Sequence, residues 1–186
     1  MNSKSCLLII SLGAALFGQA ASASNWETSG YTGLGFIDEG GLDDSSFSSS
    51  FSVVYRFGEV WGVEAGYTSF DDYKSGFDVA DGRGQAQADI DGFTLGLNYR
   101  SMLNESWYMT GHAGLWGWRS DGKIDVPGVA LVRVDDDGTD AFVGAGFGYM
   151  FTQRWGAGLG VTWYGVDFNG NSTSTYIVGF NTGYQF

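Results

Sequence analysis

His112 is the only histidine in the chain and the first residue whose chemistry can be weighed. An imidazole beside a serine hydroxyl, with a carboxylate to orient it, makes the relay of an acyl hydrolase. The neighbours of His112 are Gly111 and Ala113, and no serine stands at the His-x-Ser spacing. Enzymatic activity is therefore not expected. Carboxylates crowd elsewhere, at Asp38-Glu39, Asp43-Asp44, Asp71-Asp72 and Asp135-Asp136-Asp137-Gly138-Thr139-Asp140. Calcium loops place carboxylates at alternate positions around a glycine turn, and the last stretch has that character without a full ligand set. All four read as solvated acidic hairpin tips, with no metal and no other cofactor expected. A third constellation is ionic: Glu27, Arg56 and Glu64. What it does depends on the elements that hold it.

Those elements alternate with period two. At the C-terminus Tyr176, Val178, Phe180, Thr182, Tyr184 and Phe186 fall on one face. Ile177, Gly179, Asn181, Gly183 and Gln185 fall on the other. A soluble protein rarely leaves such an aromatic edge uncovered. A strand crossing lipid needs this pattern, apolar outward and polar inward over about ten residues. The same period predicts strands at about 26–37, 47–57, 61–70, 90–100, 107–118, 141–151, 155–166 and 175–186. Connections at 58–60, 101–106 and 152–154 are short, while those at 38–46, 71–89, 119–140 and 167–174 are longer, polar and acidic. The fold class expected is all-β: an eight-stranded antiparallel up-and-down transmembrane β-barrel. Short turns then mark the periplasmic side, and an even strand number puts both termini there.

Parity sorts the side chains. Phe51, Val53, Leu95, Leu97, Phe147 and Leu159 point outward, while Glu27, Tyr31, Arg56, Glu64, Asn98, Arg100, His112, Phe142 and Tyr164 point inward. A soluble ligand-binding barrel would invert this arrangement. Trp26, Phe57, Trp61, Tyr99, Trp107, Phe151, Trp155 and Phe186 sit at the short-turn ends, as a periplasmic aromatic girdle would. The turn at 58–60 sets Phe57 against Trp61. With Trp26 opposite Phe57, Glu27 opposes Arg56, and Glu64 lies diagonal to it. Buried charge is costly unless paired, so these three are expected to form a lumen ion-pair cluster. Inward glycines at 144, 146, 148, 156, 158, 160, 179 and 183 leave one wall almost bare. Bulky side chains from the opposite wall are expected to fold onto it, leaving isolated polar cavities and no continuous channel.

The N-terminus adds independent information. Lys4 is the only charge in the first two dozen residues, an apolar run follows from Cys6 to Phe17, and Ala21-Ser22-Ala23 offers a small-x-small cleavage site. Residues 1–23 read as a cleaved signal peptide and 24–186 as one barrel domain. The only cysteine leaves with the leader, which suits a bacterial envelope protein. A net charge of −12 argues against nucleic acid as a partner.

Five phrases carry a family likeness: Gly62-Val63-Glu64-Ala65-Gly66-Tyr67, Leu97-Asn98-Tyr99, Tyr108-Met109-Thr110-Gly111-His112-Ala113-Gly114-Leu115, Gly144-Ala145-Gly146-Phe147-Gly148-Tyr149 and Gly183-Tyr184-Gln185-Phe186. In their order and spacing the chain resembles the OmpA-type outer-membrane β-barrel family over essentially all of the mature sequence. The resemblance implies contact with outer-membrane lipid and lipopolysaccharide. It also implies an assembly signal, Tyr184 and Phe186, read by the barrel-assembly machinery. Nothing follows Phe186, so the family's peptidoglycan-binding domain is not expected. Glu64 matches the glutamate of the family's interior ion-pair gate, but the gate's partners fall at Gly148, Gly158 and Gly160. The expected function is that of a monomer with a structural or surface-interaction role, in envelope integrity or adhesion, whose acidic loops could meet a surface ligand. The alternatives are a narrow diffusion pore or transport barrel and, further off, a lipid-modifying enzyme.

Overall fold

A computed structural model describes residues 25–37, 45–79, 82–125, 132–168 and 171–186. The expected leader and the acidic pairs Asp38-Glu39 and Asp43-Asp44 lie outside the described residues, as does the side chain of Asp72. Eight strands run in order: β1 (Trp26–Ile37), β2 (Ser45–Arg56), β3 (Trp61–Val79), β4 (Gly82–Met102), β5 (Trp107–Asp125), β6 (Val132–Met150), β7 (Trp155–Phe168) and β8 (Asn171–Gln185). Each pairs antiparallel with the next, and β1 closes on β8, making an up-and-down barrel. Closure satisfies the backbone without a free edge, as a chain surrounded by lipid requires.

The short turns explain their own sequences. Asn104 Oδ1 accepts the N–H groups of Ser106 and Trp107, both at 2.9 Å. Thr152 Oγ1 does the same for Trp155, at 2.9 Å. These are side-chain turns in which Asn and Thr replace backbone acceptors.

Two expectations are corrected. Trp26 pairs with Tyr55 rather than Phe57, so Glu27 faces Val54 instead of Arg56. The β1–β2 connection is too long to fix a register, unlike the tight turn after Arg56. The slip is of two residues, so every side chain keeps its face. The second correction concerns 71–89 and 119–140, expected as loops. They are mostly strand: β3 and β4 stay paired to Val79↔Gly82, and β5 and β6 to Ile124↔Val132. A register shift between Phe70 and Tyr73 marks where β3 changes course. The ladder continues, but its hydrophobic alternation does not, because the outward positions become Asp91, Arg119 and Asp137, which neighbour one another across β4, β5 and β6. Opposite charges in such cross-strand rows stabilise a sheet in water as apolar pairs do in lipid.

Below that level the outer wall is apolar. Phe93, Leu95 and Phe180 are 73%, 62% and 63% exposed, within a band no water-soluble monomer presents and a barrel in lipid needs. Leu95→Arg and Phe147→Arg are expected to cost about 2–4 kcal/mol each in vesicle unfolding titrations. The same change at Trp61, in the girdle, should cost much less. Equal tolerance at all three positions would mean that the band does not face lipid.

Candidate functional site

The lumen is built in two layers. Towards the short turns it is polar. Glu27 Oε2 accepts from Arg56 Nη2 at 2.8 Å and Nε at 3.1 Å, and Arg100 Nη1 lies 3.1 Å from the same oxygen. All three side chains are about nine-tenths buried. Arg100 also packs over the Tyr108 ring, 5.2 Å from its centroid. The lower pair is thus a triad of two cations on one carboxylate. Parity placed Arg100 inward, but nothing in the sequence assigned it to Glu27.

Glu64 is held separately, by side chains from other strands. It accepts from Asn98 Nδ2 on β4 and sits 3.3 Å from His112 Nδ1 on β5. His112 Nε2 is 2.9 Å from Thr162 Oγ1 on β7. A carboxylate only accepts, so Nδ1–H donates to Glu64, and Nε2 shares a hydrogen bond with the Thr162 hydroxyl. Carboxylate, imidazole and hydroxyl therefore stand in relay order, with threonine where serine was sought. Sequence spacing could not reveal this, because the three residues come from β3, β5 and β7 and meet only through the register of the strands between them. A nucleophile needs an open side from which a substrate approaches. Thr162 is only 3% exposed, and the ring of Phe142 packs edge-on against His112 at 5.5 Å. The relay is a packed hydrogen-bond chain that satisfies buried polar groups.

The glycine wall is covered mainly by side chains of the adjacent strand β5 rather than of the far wall, as His112 and Tyr108 stand beside Gly144 and Gly148. A Cβ at Gly144 would strike His112 and Thr162, and one at Gly148 would strike Tyr108. The Tyr31 hydroxyl reaches the same wall, donating to Gly160 O and accepting from Gly179 N–H at 3.1 Å. Each of these close approaches needs a residue without a side chain.

Above this the lumen turns apolar. Phe70, Ile90, Trp116, Trp118, Phe142, Tyr164, Val166 and Ile177 form one buried cluster. Trp116 is wholly buried and its Nε1–H donates to Gly165 O at 2.8 Å. Its ring lies 4.8 Å from that of Tyr164, and Phe70 meets Tyr164 edge-on at 5.6 Å. Ser46 and Ser48 of β2 are buried at this height, with Ser48 directly opposite Phe70 on β3. A cavity of 390 Å³ opens at the short-turn mouth, lined by Arg56, Arg100, Arg154 and Gln185 among others. It stops below the aromatic cluster.

Beyond the cluster the barrel opens into a projecting sheet. The partners of β3 on β2 end at Phe70, and those of β6 on β7 end at Phe142. Strands β3 to β6 continue together past that level. Where β6 and β7 part, side chains replace the ladder: Asp140 Oδ2 accepts from Asp167 N–H at 3.2 Å and Trp118 Nε1 at 2.7 Å.

The expected girdle residues occupy the short-turn rim as contacting rings. Trp26 meets Tyr55 at 5.0 Å, Trp61 meets Tyr99 at 5.1 Å, Trp107 meets Tyr149 at 5.0 Å, and Trp155 meets Tyr184 at 4.9 Å. Phe151 meets Tyr149 at 5.7 Å, and Phe57 is exposed beside its turn. Phe186 lies edge-on to Tyr184 at 4.9 Å, and its N–H donates to Trp26 O at 3.1 Å, so the last residue ties the closing strand to the first.

The model of the outer membrane protein beta-barrel domain family matches residues 8–186. No curated protein matches the chain. Among solved structures it is similar to Neisserial surface protein A, with 13% identity over 89% of this chain and 99% of that one and a TM-score of 0.63. The outer membrane protein OprG from Pseudomonas aeruginosa is 16% identical over 88% and 98% of the two chains, with a TM-score of 0.58. The attachment invasion locus protein of Yersinia pestis is 14% identical over 88% and 100%, with a TM-score of 0.56. At these identities the likeness is one of fold.

Proposed function

Because this chain belongs to the outer membrane protein beta-barrel domain family, we propose that it is a monomeric, non-enzymatic outer-membrane protein that works at the cell surface through its projecting sheet. The short turns and both termini face the periplasm, after a leader cut behind Ala23. The girdle of Trp26, Phe57, Trp61, Tyr99, Trp107, Phe151 and Trp155 sits at the inner interface. Tyr184 and Phe186 are the residues the barrel-assembly machinery reads, and the apolar wall meets lipid below and lipopolysaccharide above.

One observation carries this reading: β3 to β6 stay paired far past the last β6–β7 pair, whereas β7 and β8 run on only to Phe168↔Asn171, so the chain invests most of its extra length in an exposed sheet. The filled lumen supports it, since the aromatic cluster occupies the path a solute would take. So does the similarity in fold to the attachment invasion locus protein of Yersinia pestis. Surface interaction is tested with cells displaying the full chain or a variant in which 74–87 and 121–135 are replaced by two-residue turns. Attachment to protein-coated surfaces should fall to the level of cells lacking the protein, while the shortened barrel still folds. Unchanged attachment by the shortened protein would reject the reading.

A further inference from the structure

We propose that the outer edge of β6, from Val132 to Asp137, is a docking strand that takes an extended cationic polypeptide segment by β-addition. The inference rests on the surface-interaction reading above and names the partner and the manner of its binding. Every residue from Val132 to Ala141 is paired on its β5 side. On the other side the ladder with β7 begins only at Phe142. Among the described residues, this stretch of β6 therefore ends the sheet with one row of backbone donors and acceptors unused by any strand. Such a row is a template for another chain. At about 3.3 Å per residue, 132–137 offers about 20 Å, enough to hold a peptide of some six residues.

The net charge on that edge, three aspartates against Arg133, selects its occupant. Asp135 and Asp137 are exposed on the outer face, and Asp136 lies half-buried on the inner one. Asp135 stands directly opposite Asp121 on β5, a like-charge pair that destabilises a ladder. A strand added on the open side with lysine or arginine at alternate positions would set cations beside Asp135 and Asp137 and relieve that repulsion. The Asp137 N–H now donates to the neighbouring Asp136 carboxylate at 2.9 Å, a local bond an incoming carbonyl can replace. Three aspartates against the single Arg133 leave the edge net acidic, so a cationic segment fits it better than a second copy of this chain.

The test uses the full-length protein in nanodiscs and three fluorescent octapeptides: alternating Lys-Val, the same peptide N-methylated at every backbone nitrogen, and alternating Glu-Val. The Lys-Val peptide should bind at least tenfold more tightly than either control. Asp135→Lys/Asp137→Lys, a change at exposed positions, should weaken it at least tenfold. Equal binding of the N-methylated peptide would overturn the proposal in favour of charge attraction alone. Displacement of the peptide by magnesium at submillimolar concentration would assign the acids to a cation, and dimerisation without peptide would assign the edge to self-pairing; both overturn it as well. Failure here with attachment still lost on shortening the hairpins would leave the surface-interaction reading standing. Attachment unaffected by shortening would remove the reading itself.

Discussion

Glu27→Ala is expected to destabilise the folded barrel by about 3–5 kcal/mol, because it takes from two buried guanidinium groups the carboxylate they share. Arg56 and Arg100 both lean on one Glu27 oxygen, at 2.8 and 3.1 Å. Urea unfolding in lipid vesicles would read the loss. Arg56→Ala should cost less, since Glu27 keeps Arg100. Adding Arg56→Met to Glu27→Ala should recover part of the loss by removing one stranded cation, a non-additivity that independent sites do not show. A Glu27→Ala barrel within about 0.5 kcal/mol of the parent, the range of ordinary surface changes, would mean that the charges are hydrated and the triad is incidental.

Trp116→Ala should cost a comparable amount, about 3–5 kcal/mol, for a different reason. The indole is wholly buried among Phe70, Trp118 and Tyr164. Its removal leaves a cavity and takes the hydrogen-bond partner from Gly165 O. Trp116→Phe should return most of the packing and not the hydrogen bond, so its loss is expected to fall between. If both variants unfold at the same urea concentration as the parent, the cluster does not hold the upper barrel together.

What the sequence revealed follows from which forces leave a local trace. Lipid and lumen act on alternate residues, so the faces of Leu95, Phe147, Glu64 and His112 could be read from parity. The pairing of Glu27 with Arg56 was within reach because a two-residue slip preserves faces and a guanidinium is long. The link from His112 to Thr162 was not, since it depends on the registers of β5, β6 and β7 together, which set both residues beside Gly144 and let their side chains meet over it. The upper strands were mistaken for loops for a related reason. Once Asp91, Arg119 and Asp137 replace apolar residues outside, the backbone ladder persists without its hydrophobic signature. The edge of β6 was hidden with them, because an edge is defined by the strand that is missing beside it.

Everything proposed for this barrel depends on a filled lumen, and single-channel recording in a planar bilayer reads that directly. A polar triad below and eight buried apolar side chains above fill the lumen among the described residues, so the protein should show no steady conductance above background. A stable unit conductance in the unaltered protein, independent of its concentration and abolished by Gly146→Trp, would contradict the account and make the barrel a pore.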